Sequence, residues 1–127
     1  MSDLEFDRHT GYISDALEYA GGTHTVEDMR NLVADTRLQF WPGKHSVVLT
    51  QIIDTPRKRV LHIVLAGGDA GAALHELRDL LPRIEAFAWD HDCDMVVAYG
   101  RPAWGRAVFN SAGYDSPTME FRKCRDQ

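Results

Sequence analysis

The stretch Gly67-Gly68-Asp69-Ala70-Gly71 has the composition of a loop that could hold an anion through its backbone. It follows an apolar run, Arg59 to Ala66, and precedes a long helical pattern. The first amides of a helix have no partner inside the helix and lie at the positive end of its dipole, so they attract phosphate groups. A flexible connection between a strand and a helix would have the same composition, and both interpretations stay open. A GxGxxG dinucleotide motif is absent, which excludes the Rossmann fingerprint.

Other reactive side chains do not form a recognisable metal site or nucleophile. His91, Cys93 and Asp94 lie close together, but no third His or Cys stands at ligand spacing. Cys93 and Cys124 belong to no CxxC pair and have no evident activating histidine. We therefore expect buried or half-buried free thiols in a reducing compartment, and no metal cofactor.

The length and the net charge of the chain limit the classes of protein to which it can belong. The 127 residues are enough for one domain with its own core, and the net charge is −5. A nucleic-acid-binding surface normally shows a basic excess, and the basic triplet 57–59 is typical of a solvated loop. No apolar run approaches the roughly 20 residues that span a bilayer, and the first ten residues contain no signal-peptide core. We expect a single cytoplasmic domain over 1–127, with no nucleic-acid or membrane partner and with residues 1–22 of uncertain structure.

Apolar spacing predicts the helices that precede the glycine loop. Residues Tyr12 to Tyr19 are typical of a short helix. Thr25 followed by Asp28 has the pattern of a capping box at the start of a second helix. Its apolar stripe continues to Leu38, and Trp41-Pro42-Gly43 is predicted to end it.

Two runs rich in β-branched residues follow, from His45 to Ile53 and from Arg59 to Ala66. The polar turn between them predicts an antiparallel hairpin. The second run is apolar on both faces, which predicts a central strand covered on both sides. Beyond the loop a helical pattern extends to Trp89, with Pro82 predicting a kink or the start of a new helix. Met95 to Tyr99 predicts another buried strand.

The last quarter of the sequence predicts a short helix and a final strand. Gly100-Arg101-Pro102 opens the helix, Gly113 stands where a left-handed C-cap glycine belongs, and residues 117–122 alternate as a strand with one wet face. A helix between the second and third strands makes those strands parallel through a right-handed crossover. The predicted fold class is α/β, with a mixed sheet and helices on both faces.

This order of elements resembles the GNAT family of N-acetyltransferases. In that family the loop after the central strand carries Gln or Arg, two residues, Gly, one residue, then Gly or Ala. Gly71 and Ala73 fill the last two fixed positions here, and Gly68 takes the place of the first. The family's short helix is similar to residues 102–114. Phe109 stands where many members carry a tyrosine that can protonate the leaving thiolate, and phenylalanine has no such proton.

More specifically, the chain resembles small GNAT-like proteins of tailed bacteriophages and prophages, over about residues 25 to 123. The resemblance is carried by a strand ending in Ala66-Gly67-Gly68 and by an aromatic helix after Gly100-Arg101. It implies a protein of the host cytoplasm or the virion, with phage structural proteins as partners. Because fold does not fix function, a non-catalytic binding or virion-assembly module stands as the alternative to an enzyme.

If the protein is an enzyme, the resemblance implies that it transfers an acyl group directly from acetyl-CoA or another acyl-CoA to an amine of a small molecule or protein. The implied cofactor-binding residues surround the glycine loop: Leu65, Ala66, Gly67, Gly68, Ala70, Gly71, Ala72, Ala73 and Arg101. Amides near Leu65 and Ala66 would polarise the thioester carbonyl.

The implied reaction also needs a base that takes a proton from the attacking amine. His62 and Glu120 are the preferred candidates, and His45 and Asp54 are also expected near the cleft. A histidine inside a central strand fits a structural role as well, and Arg101 fits a helix cap as well as a phosphate ligand.

Overall fold

The computed structural model describes residues 3–19, 23–69, 71–98, 108–109 and 112–114. Three helices come first: α1 (Asp3–Asp7), α2 (Thr10–Tyr19) and α3 (Val26–Ala34). Three strands follow: β1 (Gln39–Pro42), β2 (Ser46–Asp54) and β3 (Arg59–Gly68). Helix α4 (Ala72–Asp90) then leads to strand β4 (Met95–Ala98). The short helix from residue 102 falls largely outside the described residues, and the strand 117–122 falls wholly outside them.

The four described strands form one mixed sheet in the order β1-β2-β3-β4. β2 pairs antiparallel with both β1 and β3, whereas β3 and β4 are parallel. Helix α4 is the crossover between the two parallel strands. The predicted hairpin, the parallel pair and the central position of β3 are therefore confirmed.

One extra residue, Val64, interrupts the regular pairing of β3. Leu49 of β2 pairs with Leu65, but the next residue, Thr50, pairs with Ile63. Val64 is the residue left over, which makes this a β-bulge. Before the bulge Leu61 and Ile63 pack toward α4, and after it Leu65 packs on the opposite face of the sheet. The bulge thus reverses which face each side chain covers.

Two hydrophobic cores lie on the two faces of the sheet, which confirms the predicted helices on both sides. One core joins the sheet to α4: Val48, Leu61, Ile63, Leu77, Leu81, Ile84, Ala88, Cys93, Val108 and Phe109. The other joins it to α1, α2 and α3: Phe6, Ile13, Leu17, Met29, Val33, Leu38, Val47, Leu49 and Leu65. Each large side chain contributes about 1.5–3 kcal/mol by leaving water, so neither face is dispensable. Cys93 is a buried free thiol, as predicted, and Cys124 lies outside the described residues.

The N-terminal segment, which the sequence left uncertain, covers one face of the sheet. The predicted helix from Tyr12 is confirmed as α2. His9, with only 3% of its surface exposed, joins this segment to the turn between β1 and β2. Its Nδ1 lies 2.8 Å from the Glu5 carbonyl oxygen and its Nε2 lies 2.9 Å from the Gly43 carbonyl oxygen. The residues before α3 are therefore part of the domain and not an appendage.

The start of α3 is as predicted. The Thr25 hydroxyl accepts a hydrogen bond from the Asp28 amide at 3.1 Å, and the Asp28 carboxylate accepts one from the Thr25 amide at 2.8 Å. These bonds to the charged form lower the pKa of Asp28, the bond from the Thr25 amide most strongly. The reciprocal pair is the capping box that the Thr25 and Asp28 spacing indicates.

The predicted extension of α3 to Leu38 is wrong, because the helix ends at Ala34. The Thr36 amide donates to the Val33 carbonyl at 3.0 Å and the Arg37 amide donates to the Leu32 carbonyl at 2.9 Å. This pair of bonds is a Schellman ending, which needs a left-handed residue at the position that Thr36 occupies with φ of 60°. Glycine usually takes that position, so a β-branched threonine gives no sequence signal of the ending.

Two further expectations about helix ends are corrected. Trp41 and Pro42 lie in the edge strand β1 and do not terminate a helix. Pro82 lies inside α4, which is a single helix of 19 residues, so the interpretation with two helices is wrong. Gly113 has the positive φ, 88°, that was expected of it.

Among the described residues, no helix is long and apolar enough to cross a membrane.

Replacing Thr36 by glycine is expected to stabilise the protein. A residue with a Cβ loses about 1–2 kcal/mol of stability in the left-handed conformation, and glycine avoids this loss. Part of the benefit is offset because glycine has greater conformational freedom in the unfolded chain. We expect Thr36→Gly to raise the free energy of unfolding by about 0.5–1 kcal/mol in urea titrations.

The matched control is Ala34→Gly, at an exposed position in the last turn of α3, which should lower the free energy of unfolding by about 1 kcal/mol. A loss of stability in Thr36→Gly as well would contradict the Schellman assignment.

Candidate functional site

The C-terminal end of β3 extends past its described pairing with β4. That pairing reaches Ile63 and Ala98, after which residues 99–107 lie outside the described residues, whereas β3 continues to Gly68. Main-chain groups of residues 64–68 that point to the β4 side have no partner in the described strands. Leu65 and Ala66, the predicted sites of thioester polarisation, lie in this part of β3. Among the described residues, these main-chain groups are therefore available for a hydrogen bond beside the bulge.

Gly67 and Gly68 belong to this strand, so the prediction that they begin a loop is wrong. A Cβ on Gly67 would lie 2.8 Å from the Tyr12 carbonyl oxygen, and one on Gly68 would lie 2.5 Å from the His45 carbonyl oxygen. The two glycines allow α2 and the start of β2 to approach β3 closely. This close packing alone explains why both positions are glycine, and no ligand is needed to account for them. Their part in cofactor binding stays a prediction.

Gly71 differs from both, because its backbone conformation and not its neighbours requires glycine. It is the N-cap of α4 with φ of 81°, and no described atom lies within 4 Å of the position of a Cβ. None of the described side chains caps the helix. The Ala73 amide donates to the Asp69 main-chain oxygen at 3.0 Å, and Ala72 stands beside it in the first turn. The described residues therefore leave room for an anion at this helix end, and Ala70, also predicted to bind it, lies outside them.

Asp69, the acidic residue of the predicted loop, is held on the α2 side. Its carboxylate accepts a hydrogen bond from the Tyr12 hydroxyl at 3.0 Å and lies 3.6 Å from Nδ1 of His45. Its amide donates to the His45 carbonyl at 3.0 Å. Partial loss of water and the neighbouring Asp69 raise the pKa of Tyr12, so the hydroxyl stays a donor.

A second carboxylate, Glu76, ties α4 to the start of β2. Both of its oxygens lie 3.0 Å from the His45 amide, and it also accepts a hydrogen bond from the buried Ser46 hydroxyl. Partial burial raises the pKa of Glu76, but the bonds from Ser46 and from the His45 amide outweigh it and lower the pKa below the ordinary 4.5. The start of α4 is therefore fixed against β2 near the candidate site. Neither Tyr12 nor Glu76 was recognised from the sequence.

The structure places the candidate bases at different points. His62 lies on β3 opposite Gln51, half-buried, on the face away from α4. Burial lowers its pKa, so the ring is neutral at pH 7 and can accept a proton. Leu65 lies three positions further along the strand, about 10 Å away. His45 is half-exposed beside Asp69, and Asp54 pairs with Arg59 at 3.3 Å, at the other end of β3. Glu120 lies outside the described residues, and so does Arg101.

A cavity of about 250 Å³ lies between α4 and the segment around Val108. It is lined by Arg78, Leu81, Pro82, Glu85, Val108 and Ala112. The Tyr114 hydroxyl donates to the Glu85 carboxylate at 2.7 Å, and its burial, with this bond, raises its pKa. Phe109 is buried with its ring centroid 5.2 Å from that of Tyr114. The described part of the chain contains no group of three or more side chains suited to a metal ion.

Gly67→Ala should lower stability, because the Cβ would meet backbone of α2 that cannot move freely. We expect the free energy of unfolding to fall by about 1–3 kcal/mol, measured by urea titration. Gly11→Ala is the matched control, since no atom lies near its Cβ position in the same helix α2. That change should raise the free energy of unfolding by about 0.5–1 kcal/mol. Equal effects of the two changes would disprove the close approach of α2.

Glu76→Gln should lower stability at pH 7 but not in acid. A carboxylate whose pKa is lower in the folded state stabilises the fold above its unfolded pKa, near 4.5, and this contribution is lost as the pH falls through the folded value. The difference in free energy of unfolding between the variant and the wild type should therefore shrink as the pH falls below about 4.5. Glu18→Gln, at an exposed position of α2, should show no such trend. A difference independent of pH would contradict the assigned hydrogen bonds.

Comparison with known proteins identifies the fold. No protein-family model matches the sequence, and no curated protein matches it. Solved structures do match. A probable acetyltransferase superposes with a TM-score of 0.73 at 10% identity, covering 95% of this chain and 90% of the other. A Trypanosoma brucei acetyltransferase gives 0.64 at 10% identity, over 93% and 94% of the two chains.

A third structure is that of a predicted acetyltransferase of Clostridium acetobutylicum with acetyl-CoA. It superposes with a TM-score of 0.62 at 15% identity, covering 76% of this chain and 71% of the other. At sequence identities this low, the structural similarity shows a shared fold but does not show a shared activity. The mixed sheet with helices is thus the GNAT-like fold of acetyltransferases, as predicted, whereas the resemblance to bacteriophage proteins stays a prediction.

Proposed function

We propose that this protein binds an acyl-CoA and transfers its acyl group directly to an amine. One observation carries the proposal: residues 64–68 of β3, which have no partner on the β4 side in the described strands, lead within a few residues to the N-terminus of α4, which no described side chain caps. The edge offers main-chain hydrogen bonds for an extended chain, and the helix end attracts a pyrophosphate. A structural neighbour that was crystallised with acetyl-CoA supports the same ligand class.

The described residues of the site fit such a cofactor. Gly71 and Ala72 would hold the pyrophosphate with their amides, since the described residues leave the space beside Gly71 open. Ala73 would line the same helix end, while its amide donates to the Asp69 main-chain oxygen. Leu65 and Ala66 would hold the thioester end from the β3 edge, and Gly67 and Gly68 would continue the main-chain contacts. Ala70 and Arg101 complete the proposed set. When bound, acyl-CoA supplies the activated acyl group, and no metal is required by this chemistry.

In the proposed reaction, a side chain takes the proton that the amine loses as it attacks. His62, neutral at pH 7, is one candidate, and Glu120 is the other. The main-chain amides of Leu65 and Ala66 would stabilise the negative charge on the carbonyl oxygen. Phe109 has no hydroxyl, so the leaving thiolate does not take its proton from this position. The acceptor would be an amine of a small molecule or a protein.

A second candidate function is a non-catalytic module of a bacteriophage that acts through contacts with virion proteins. It is favoured by two large apolar side chains near the junction of α4 and β4, Trp89 and Met95, which are 52% and 42% exposed. This surface is separate from the β3 edge. The enzyme hypothesis ranks first because it accounts together for a helix end and a strand end that both lack a partner among the described residues.

The direct test is isothermal titration of CoA and acetyl-CoA into the wild type and into Gly71→Glu. We expect micromolar binding in the wild type and its loss in the variant, since a carboxylate would occupy the proposed phosphate position. Gly71→Ala is the matched control: it places the same strain on the left-handed backbone without the added charge, and it should retain most of the affinity.

Absence of binding at millimolar CoA would disprove the enzyme hypothesis and would leave the non-catalytic module as the remaining candidate function. Binding that Gly71→Glu does not weaken, with the variant folded by circular dichroism, would place the cofactor elsewhere.

A further inference from the structure

Asp69 places a negative charge close to the proposed phosphate-binding position. It lies two residues before Gly71, and its backbone oxygen accepts a hydrogen bond from the Ala73 amide. A carboxylate so close to the N-terminus of α4 would repel a pyrophosphate if its side chain turned toward the helix end. The orientation of this one side chain therefore matters to any anion that binds there.

The structure shows what sets that orientation. The Tyr12 hydroxyl, from α2, donates to Oδ2 of Asp69 at 3.0 Å. Helix α2 packs against the face of the sheet opposite α4. The carboxylate therefore points to one side of β3, while the helix that starts after Gly71 covers the other side.

Tyr12 is itself fixed by close packing of its backbone. Its carbonyl oxygen lies where a Cβ on Gly67 would be only 2.8 Å away, so α2 cannot shift easily against β3 at this point. His45 adds a weaker contact, with Nδ1 3.6 Å from Oδ2 of Asp69 and a side chain that is half exposed. Tyr12 is therefore the principal partner of the carboxylate among the described residues.

We propose that Tyr12 is a positioning residue of the acyl-CoA site: its hydroxyl holds the Asp69 carboxylate on the α2 side, away from the phosphates at the start of α4. This inference rests on the proposed function and deepens it. It assigns a role to the N-terminal segment through Asp69. It also explains how an acidic residue is tolerated beside an anion site.

The test is a double-mutant cycle read by isothermal titration with CoA. The four proteins are the wild type, Tyr12→Phe, Asp69→Asn and the double variant. Tyr12→Phe frees the carboxylate and should weaken CoA binding about fivefold, the size of one ordinary hydrogen bond. Asp69→Asn should bind CoA at least as tightly as the wild type. In the Asp69→Asn background, Tyr12→Phe should then have little further effect, because no charge remains to be held.

Two controls separate this electrostatic role from a structural one. Asp79→Asn removes the same charge from α4 further along the helix, where it pairs with His75, and should leave the affinity nearly unchanged. Thermal unfolding of each variant shows whether it is folded at the temperature of the titration.

Each remaining outcome has a defined meaning. Tyr12→Phe with wild-type affinity, or with the same loss of affinity in both backgrounds, would overturn the inference. Binding by Asp69→Asn but not by the wild type would also overturn it, since the carboxylate would then already face the phosphates, while the proposed site would stand. Failure of both proteins to bind CoA would overturn the proposed function and this inference with it.

Discussion

The arrangement of the candidate site depends on one extra residue in the central strand. Val64 is left over when β3 pairs with β2, and the described parallel pairing with β4 reaches the residue before it. Beyond it, Leu65 turns to the face opposite α4, whereas Ala66 packs on the α4 side. Without the extra residue, Leu65 and Ala66 would exchange faces, and the end of β3 would present different groups to the candidate site.

The second constraint is the close packing of α2 on the end of β3. It requires Gly67 on one side of the contact and brings the Tyr12 hydroxyl to Asp69 on the other. Glu76 fixes the first turns of α4 to the start of β2 in a similar way. The position of Gly71 is thus set by contacts with two elements that are distant in the sequence, α2 and the start of β2, and not by the glycine-rich composition alone. The same packing contacts therefore stabilise the fold and position the candidate site.

Most of the fold could be predicted from the sequence because its signals are local. The β-branched residues of β2, the mostly apolar run of β3 and the capping box at Thr25 each report the geometry of their own segment. The early end of α3 could not be predicted, since a threonine occupies the left-handed position that glycine normally marks. The bulge gives no signal either, because Val64 stands in an unbroken row of apolar residues.

For the candidate site, the sequence predicted Gly71 and Ala73 through their resemblance to a family pattern, and their part in cofactor binding stays a prediction. It could not show that Tyr12 meets Asp69, since 57 positions separate them and only the folded packing of α2 brings them together. The same holds for Glu76 and Ser46, which are 30 positions apart. Long-range polar contacts of this kind leave no periodic pattern, so they are the part of the site that sequence reasoning missed.

We propose above all that an acyl-CoA lies along the end of β3, beyond its described pairing with β4, with its phosphates at the start of α4. Nuclear magnetic resonance tests it most directly, by following the backbone amides of the isotope-labelled protein as CoA is added. The account predicts that the largest shifts fall on Leu65, Ala66 and Gly71 to Ala73. Shifts confined to the surface around Trp89 and Met95, or no shifts at millimolar CoA, would contradict it.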